Sequence, residues 1–268
     1  MMRPRLPSYD HFSVAVGLLV AGVAVTILPW LTLVSLDVVG GLALVVALGV
    51  WVVLEQIPEQ VNAALDNYLY ALPPVLAVGL VALFVGESVG IDRVLPDSLH
   101  LPLLGLLVLC GLVGETGRRR RARVVSERES MHALVTVTES RWFAVAISVV
   151  GSLLGYAIIS VAFGEAFSPW RLAFLAGASV VGAVIGTLFQ GRETNQLAVL
   201  DGGLLVRTES GRPVTVVPWW QVRRVDVTDG TVRIRRGLPF PTTYYSEFSE
   251  REEAKRVVDA IRRCQRRT

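Results

Sequence analysis

Long apolar runs fill the first two thirds of this chain, and short alternating runs fill the rest. Six of the long runs approach the length that a helix needs to cross a bilayer. They are Phe12–Ser35, Val38–Leu54, Leu72–Ile91, Leu99–Glu115, Trp142–Phe163 and Leu172–Phe189. Pro73, Pro74 and Pro102 lie near span starts, where a missing backbone N–H costs little. Pro29, beside Trp30, is expected to kink the first span or end it early. Between the second and third runs, Val61, Leu65, Tyr68 and Leu69 recur at helical spacing, with Asn62, Asp66 and Asn67 opposite. That pattern predicts a short interfacial helix over Pro58–Tyr70. Ser126 and Glu129 form a capping-box pair, which predicts a helix leading into the fifth run.

From Arg192 the period shortens to two. Leu197–Leu200 and Leu204–Thr208 flank Asp201-Gly202-Gly203, a hairpin signal. Pro213–Trp220 and Val222–Thr228 read as further strands, and Asp229-Gly230 as another turn. In Thr231–Arg236, Val232 and Ile234 fall on one face and Arg233 and Arg235 on the other. Thr242–Phe248 is a last strand. Ser249 then stands as the N-cap of a helix, with Glu252 in the capping-box position. Ala254, Val257, Val258, Ile261 and Cys264 form its apolar stripe.

Charge sets the orientation. With the N-terminus inside, the inner segments ahead of the last third hold Arg3, Arg5, Arg118, Arg119, Arg120, Arg121, Arg123, Arg128 and Arg141; the outer loops hold only Arg93 and Arg171. Positive residues gather on the cytoplasmic side, so both termini are expected there. The apolar run after Phe12 is too long for a signal peptide and is expected to stay as the first span. Composition agrees: 52% of residues are hydrophobic, 18% are charged, and the mean hydropathy of +0.53 exceeds the usual soluble range. The net charge of +3 is uneven, because residues from Gly191 onward carry fifteen basic against ten acidic side chains. A basic tail suits an anionic lipid surface. Arg118, Arg119, Arg120, Arg121, Arg123, Arg262, Arg263, Arg266 and Arg267 are the candidate contacts with anionic headgroups.

Candidate chemistry is sparse. Gly86-Glu87-Ser88-Val89-Gly90 matches a serine-nucleophile pattern, but no histidine lies securely in a later span to partner Ser88. Ala82, Gly86 and Gly90 recur every four residues and predict helix packing instead. Gly151 with Gly155, and Ala178 with Gly182 and Gly186, repeat that pattern. Glu87 is the candidate intramembrane functional carboxylate, and an ion pair with Arg93 is its plainer role. Glu115 is expected to pair with Arg118 or Arg119. Cys110 and Cys264 have no metal-ligand companion nearby in the sequence. No nucleotide-binding, zinc-protease or Cys-x-x-Cys motif appears, so no catalytic residue, cofactor or metal site is predicted. Nucleic acid is not expected as a partner either.

The stretch from Val216 to Gly237, VVPWWQVRRVDVTDGTVRIRRG, and the ending from Phe248 to Arg263, FSEREEAKRVVDAIRR, resemble prokaryotic PH-like domains. The resemblance covers the last third alone. It implies a small β-barrel with a helix packed across one open end, acting as a binding or scaffold module. Some PH domains hold phosphoinositides in a basic pocket between early strands; Arg207 and Arg212 are too sparse to carry that over. The last third is also short for seven strands, so one is expected to be missing or minimal.

The sequence therefore predicts an α-helical polytopic membrane bundle of about six spans over residues 1–191. A cytoplasmic PH-like β-barrel with a C-terminal helix follows over 192–268. The expected function is that of a non-catalytic scaffold or membrane-surface sensor in the cell membrane, binding a protein partner or anionic lipid. A small-solute transporter or channel is the alternative, with Ser148, Ser152 and Tyr156 as its one polar cluster. An intramembrane serine hydrolase ranks below it.

Overall fold

The computed structural model describes residues 10–31, 36–88, 96–139, 149–156, 170, 174, 177–178, 181, 194–228, 230–238 and 241–266. They fall into two compact units, Met1–Arg120 with Leu153–Leu172, and Arg121–Ser152 with Ala173–Thr268.

In the first unit, α1 (His11–Leu31) packs along α2 (Leu36–Gln56). Their approach is close at Gly17, where a Cβ would stand 2.5 Å from the Ala47 carbonyl oxygen. The short α3 (Pro58–Asp66) buries Val61 and Leu65, as its periodicity predicts. It stops at Tyr68, the one non-glycine residue with positive φ among the described residues. The chain then turns by 72° into α4 (Leu72–Ser88). The long α5 (Asp97–Arg128) carries the arginine block on its final turns. Phe12, Ala15, Val61, Leu65 and Val113 form the buried cluster.

Arg120 joins three of these helices. Its guanidinium donates to Asp10 at the head of α1 and to Ser13 Oγ and Asn62 Oδ1, each at 3.3 Å. It also lies over the Phe12 ring, 5.8 Å from the centroid. Only 14% of the Arg120 side chain is exposed. Asp10 in turn accepts from Ser13 N and Ser13 Oγ, which satisfies an orphan N–H in the first turn of α1.

Apolar side chains cover the outside of this unit: Val45, Val78 and Leu76 are 65%, 68% and 71% exposed. Among the described residues, three helices are long and apolar enough to cross a membrane, and four if the bent α3–α4 pair counts as one span. Four of the six expected spans thus coincide with helices. The fourth lies inside the much longer α5, and α1 ends at Leu31, not Ser35. The fifth and sixth fall largely outside the described residues, so the count of six is not carried by the structure.

The second unit is a seven-stranded antiparallel sheet with a helix on each face. Its strands are β1 (Ala133–Glu139), β2 (Thr194–Val199), β3 (Gly203–Thr208), β4 (Pro213–Pro218), β5 (Val222–Thr228), β6 (Thr231–Arg236) and β7 (Thr243–Glu247). Their order is β4-β3-β2-β1-β7-β6-β5. That order has two ends, β4 and β5, among the described residues, so the hydrogen-bonded ladder by itself does not establish the β-barrel expected.

The central strand was not foreseen. β1 comes from ahead of residue 192, pairs with β2 from Ala133↔Val199 to Thr138↔Thr194, and meets β7 at Thr138↔Tyr245. The capping-box expectation at Ser126 and Glu129 fails for the same reason. α5 simply continues past Ser126, whose Oγ donates back to the Arg123 carbonyl, and β1 follows. The seventh strand that the last third was too short to hold is this one.

One face of the sheet is closed by α6 (Arg251–Gln265), through Ala254, Val257, Val258, Ile261 and Cys264. They pack on Val135, Val137, Leu197, Val199, Leu204, Ile234 and Tyr244. The helix begins one residue later than expected. Glu250 is its N-cap, in extended conformation and without a side-chain cap, so Ser249 does not play that part. The other face carries Ala198, Leu200, Leu205 and Val216 against Ala122 and Val125 of α5. Burial on both faces explains why β2 and β3 hold unbroken apolar runs where one-sided strands would alternate.

Arg120→Ala should lower the stability of the purified protein by about 2–3 kcal/mol, because it leaves the Asp10 carboxylate without its cation. Thermal unfolding in detergent measures this. In the sheet, Val137→Asp or Val258→Asp should each cost about 3 kcal/mol or more by burying a charge. A chain trimmed to residues 192–268 lacks β1 and should show no cooperative melt by circular dichroism.

Candidate functional site

Antiparallel pairing brings seven strand ends together on one edge of the sheet: the starts of β1, β3 and β6 and the ends of β2, β4, β5 and β7. Hydrogen bonds lock that edge. His132 N donates to the Val199 carbonyl at 2.9 Å, and His132 Nε2 lies 2.9 Å from Asp201 Oδ1. Trp219 Nε1 donates to the Asp201 carbonyl at 2.7 Å. Gly202 N donates to Glu129 Oε2 at 2.8 Å, and a Cβ there would stand 2.9 Å from the same carboxylate. Elsewhere, Gln265 Nε2 donates to the Val222 carbonyl at 3.2 Å, tying the end of α6 to the start of β5.

A cavity of about 600 Å³ opens on this edge, lined by His132, Ala133, Arg256, Val257, Asp259, Ala260, Arg262, Arg263 and Arg266. Four guanidinium groups face one carboxylate. They converge because Arg256, Asp259, Arg263 and Arg266 repeat at three- and four-residue steps, which puts them along one side of α6. Arg262, Arg263 and Arg266 also stand in or just past the last turn, where the helix dipole favours positive charge. Forked, permanently charged donors in a concave wall suit phosphate or carboxylate oxygens. They supply no nucleophile.

The chain leaves for residues 140–193 from the opposite edge, where Thr138 pairs with Thr194. Seven residues of β1 separate the two edges, a span of about 20 Å at the usual rise.

The other candidate arginines are dispersed. Arg118 and Arg119 both pair with Glu115, at 2.5 and 2.6 Å, as expected. Arg120 is committed to Asp10, Ser13 and Asn62. Arg121 is half-buried and Arg123 exposed. Arg267 lies outside the described residues, as do the side chain of Glu87 and all of Arg93. Three of the tail arginines are thus brought together, and Arg256 joins them. Arg256 precedes Arg263 by two helical turns, a period legible in the sequence. His132 had no such signal, since only the fold of β1 carries it there.

No protein-family model matches the chain, and no curated protein matches it. Among solved structures, one similarity is to the crystal structure of the FERM and C-terminal domain complex of Drosophila Merlin. It has 14% identity and a TM-score of 0.25, and covers 72% of this chain and 57% of that one. At that TM-score the likeness carries no argument.

Proposed function

We propose that the chain is a multi-pass cell-membrane protein whose cytoplasmic, PH-like unit acts as a non-catalytic anion-recognition module. Its ligand is an anionic group offered by a partner protein. The observation that carries this is the cavity on the far edge of the sheet, with Arg256, Arg262, Arg263 and Arg266 around it. Forked guanidinium groups match the carboxylates of an acidic protein segment.

Two further features support the membrane part. The exposed apolar faces of α2 and α4 would be costly in water and are at home in lipid. The β1–β2 ladder also requires residues 139 and 194 to lie on one side of any membrane. The apolar runs between them then cross an even number of times, which agrees with two spans and with both termini in the cytoplasm. Seven antiparallel strands with a C-terminal helix across one face agree with the PH-like resemblance.

The test uses the full chain in nanodiscs of neutral lipid and a fluorescent oligo-glutamate peptide. Binding should be salt-dependent and should weaken about tenfold or more in Arg262→Glu/Arg263→Glu, since each close charge contributes on the order of 1 kcal/mol and its reversal doubles the effect. Equal binding by wild type and variant would refute the module. Anionic lipid in the nanodisc should leave peptide binding unchanged; loss of binding there would make headgroups the ligand. Solute uptake by the protein in liposomes, abolished by Glu87→Gln, would support the transporter instead.

A further inference from the structure

His132 in the wall of the arginine cavity belongs to a group of three side chains to which the anion-recognition proposal gives no role. His132 precedes β1, Asp201 lies in the β2–β3 turn, and Cys264 is in the last turn of α6. One ligand atom of each lies within 4.8 Å of the others. They are 69 and 63 residues apart in the chain, so the fold alone assembles them.

We propose that His132, Asp201 and Cys264 form a zinc-binding site at this edge of the sheet, with a fourth coordination position left to water or to an anion. The donors are of the types zinc takes: an imidazole nitrogen, a carboxylate oxygen and a thiolate. Zinc bonds of about 2.0–2.3 Å place tetrahedral donors about 3.3–3.6 Å apart. The cluster therefore needs to contract by only about 1 Å at its widest. The 2.9 Å contact between His132 Nε2 and Asp201 Oδ1 already brings two of them together, and the metal would sit where that hydrogen bond now lies. On binding, the Cys264 thiol gives its proton to solvent. The resulting thiolate and the Asp201 carboxylate neutralise the dication, so the site changes by one positive charge, from −1 to neutral.

The supports for these ligands are fixed. Asp201 is held by its carbonyl on Trp219 Nε1, His132 by its N–H on Val199, and Cys264 by its place in the buried stripe of α6. Three rigid elements converging on one point distinguish this group from a surface ion pair. The His132–Asp201 pair on its own would close the turn; it gives no reason for a buried thiol to meet it.

The experiment takes the full-length protein in detergent, strips it with a chelator, and titrates it with zinc alone. One equivalent per chain should bind, and cobalt in its place should show a thiolate-to-metal charge-transfer band. Cys264→Ser should abolish the band, and Asp201→Asn, at an exposed position that leaves the core intact, should weaken zinc about tenfold or more. Absence of stoichiometric uptake by the folded wild type at micromolar zinc would overturn the site. So would wild-type affinity in both variants. Peptide binding by zinc-free protein reports on the arginine cavity separately, so either proposal can fail without the other.

Discussion

The pairing of β1 between β2 and β7 is the constraint on which the rest of the second unit depends. Remove it, and the order β4-β3-β2-β1-β7-β6-β5 separates into two three-stranded pieces with no ladder between them. The core under α6 draws on both pieces and on Val135 and Val137 of β1 itself. A two- or three-stranded sheet is marginal in water, and the continuous ladder lets one helix cover a single apolar face. The cavity inherits the same dependence, because His132 and Ala133 form one wall of it only while β1 is in register.

Charge is then sorted by partner. Arginines that precede the sheet are largely absorbed by neighbours: Arg118 and Arg119 by Glu115, Arg120 by Asp10. Those of α6 converge with little acidic compensation beyond Asp259. Two arginine-rich stretches of similar composition thus differ in what they can do. The difference comes from the carboxylates that the fold brings to each, which a count of charges does not reveal.

Local order was legible in the sequence. The hairpin at Asp201-Gly202, the alternation of Val232 and Ile234, the apolar stripe of α6 and the buried pair Val61 and Leu65 all follow from periodicity over a few residues. What was hidden is non-local. Ala133–Glu139 reads ALVTVTE, an alternating strand pattern in plain view, yet it lies between an arginine-rich helix and an apolar run, where the Ser126–Glu129 pair points to a helix. Its partner begins only at Thr194, beyond residues 140–193. The same gap hid the meeting of His132 with Asp201 and Cys264, since no spacing rule spans it. The tail arginines were picked out for their charge, but their cavity needed β1 for its second wall.

A strand separated from its partner by a long apolar insertion gives the protein an order of assembly. During synthesis β1 emerges first and waits, its edges unpaired, while the ribosome makes residues 140–193. Only when that stretch has been made does β2 appear to pair with it. An intermediate in which the two ends of that stretch have not met leaves β1 apart from the remaining six strands. Such a chain exposes Val135 and Val137 together with the bare edge of β2, a form that proteases and chaperones recognise. Completion of the sheet thereby requires that the two ends of residues 140–193 have come together.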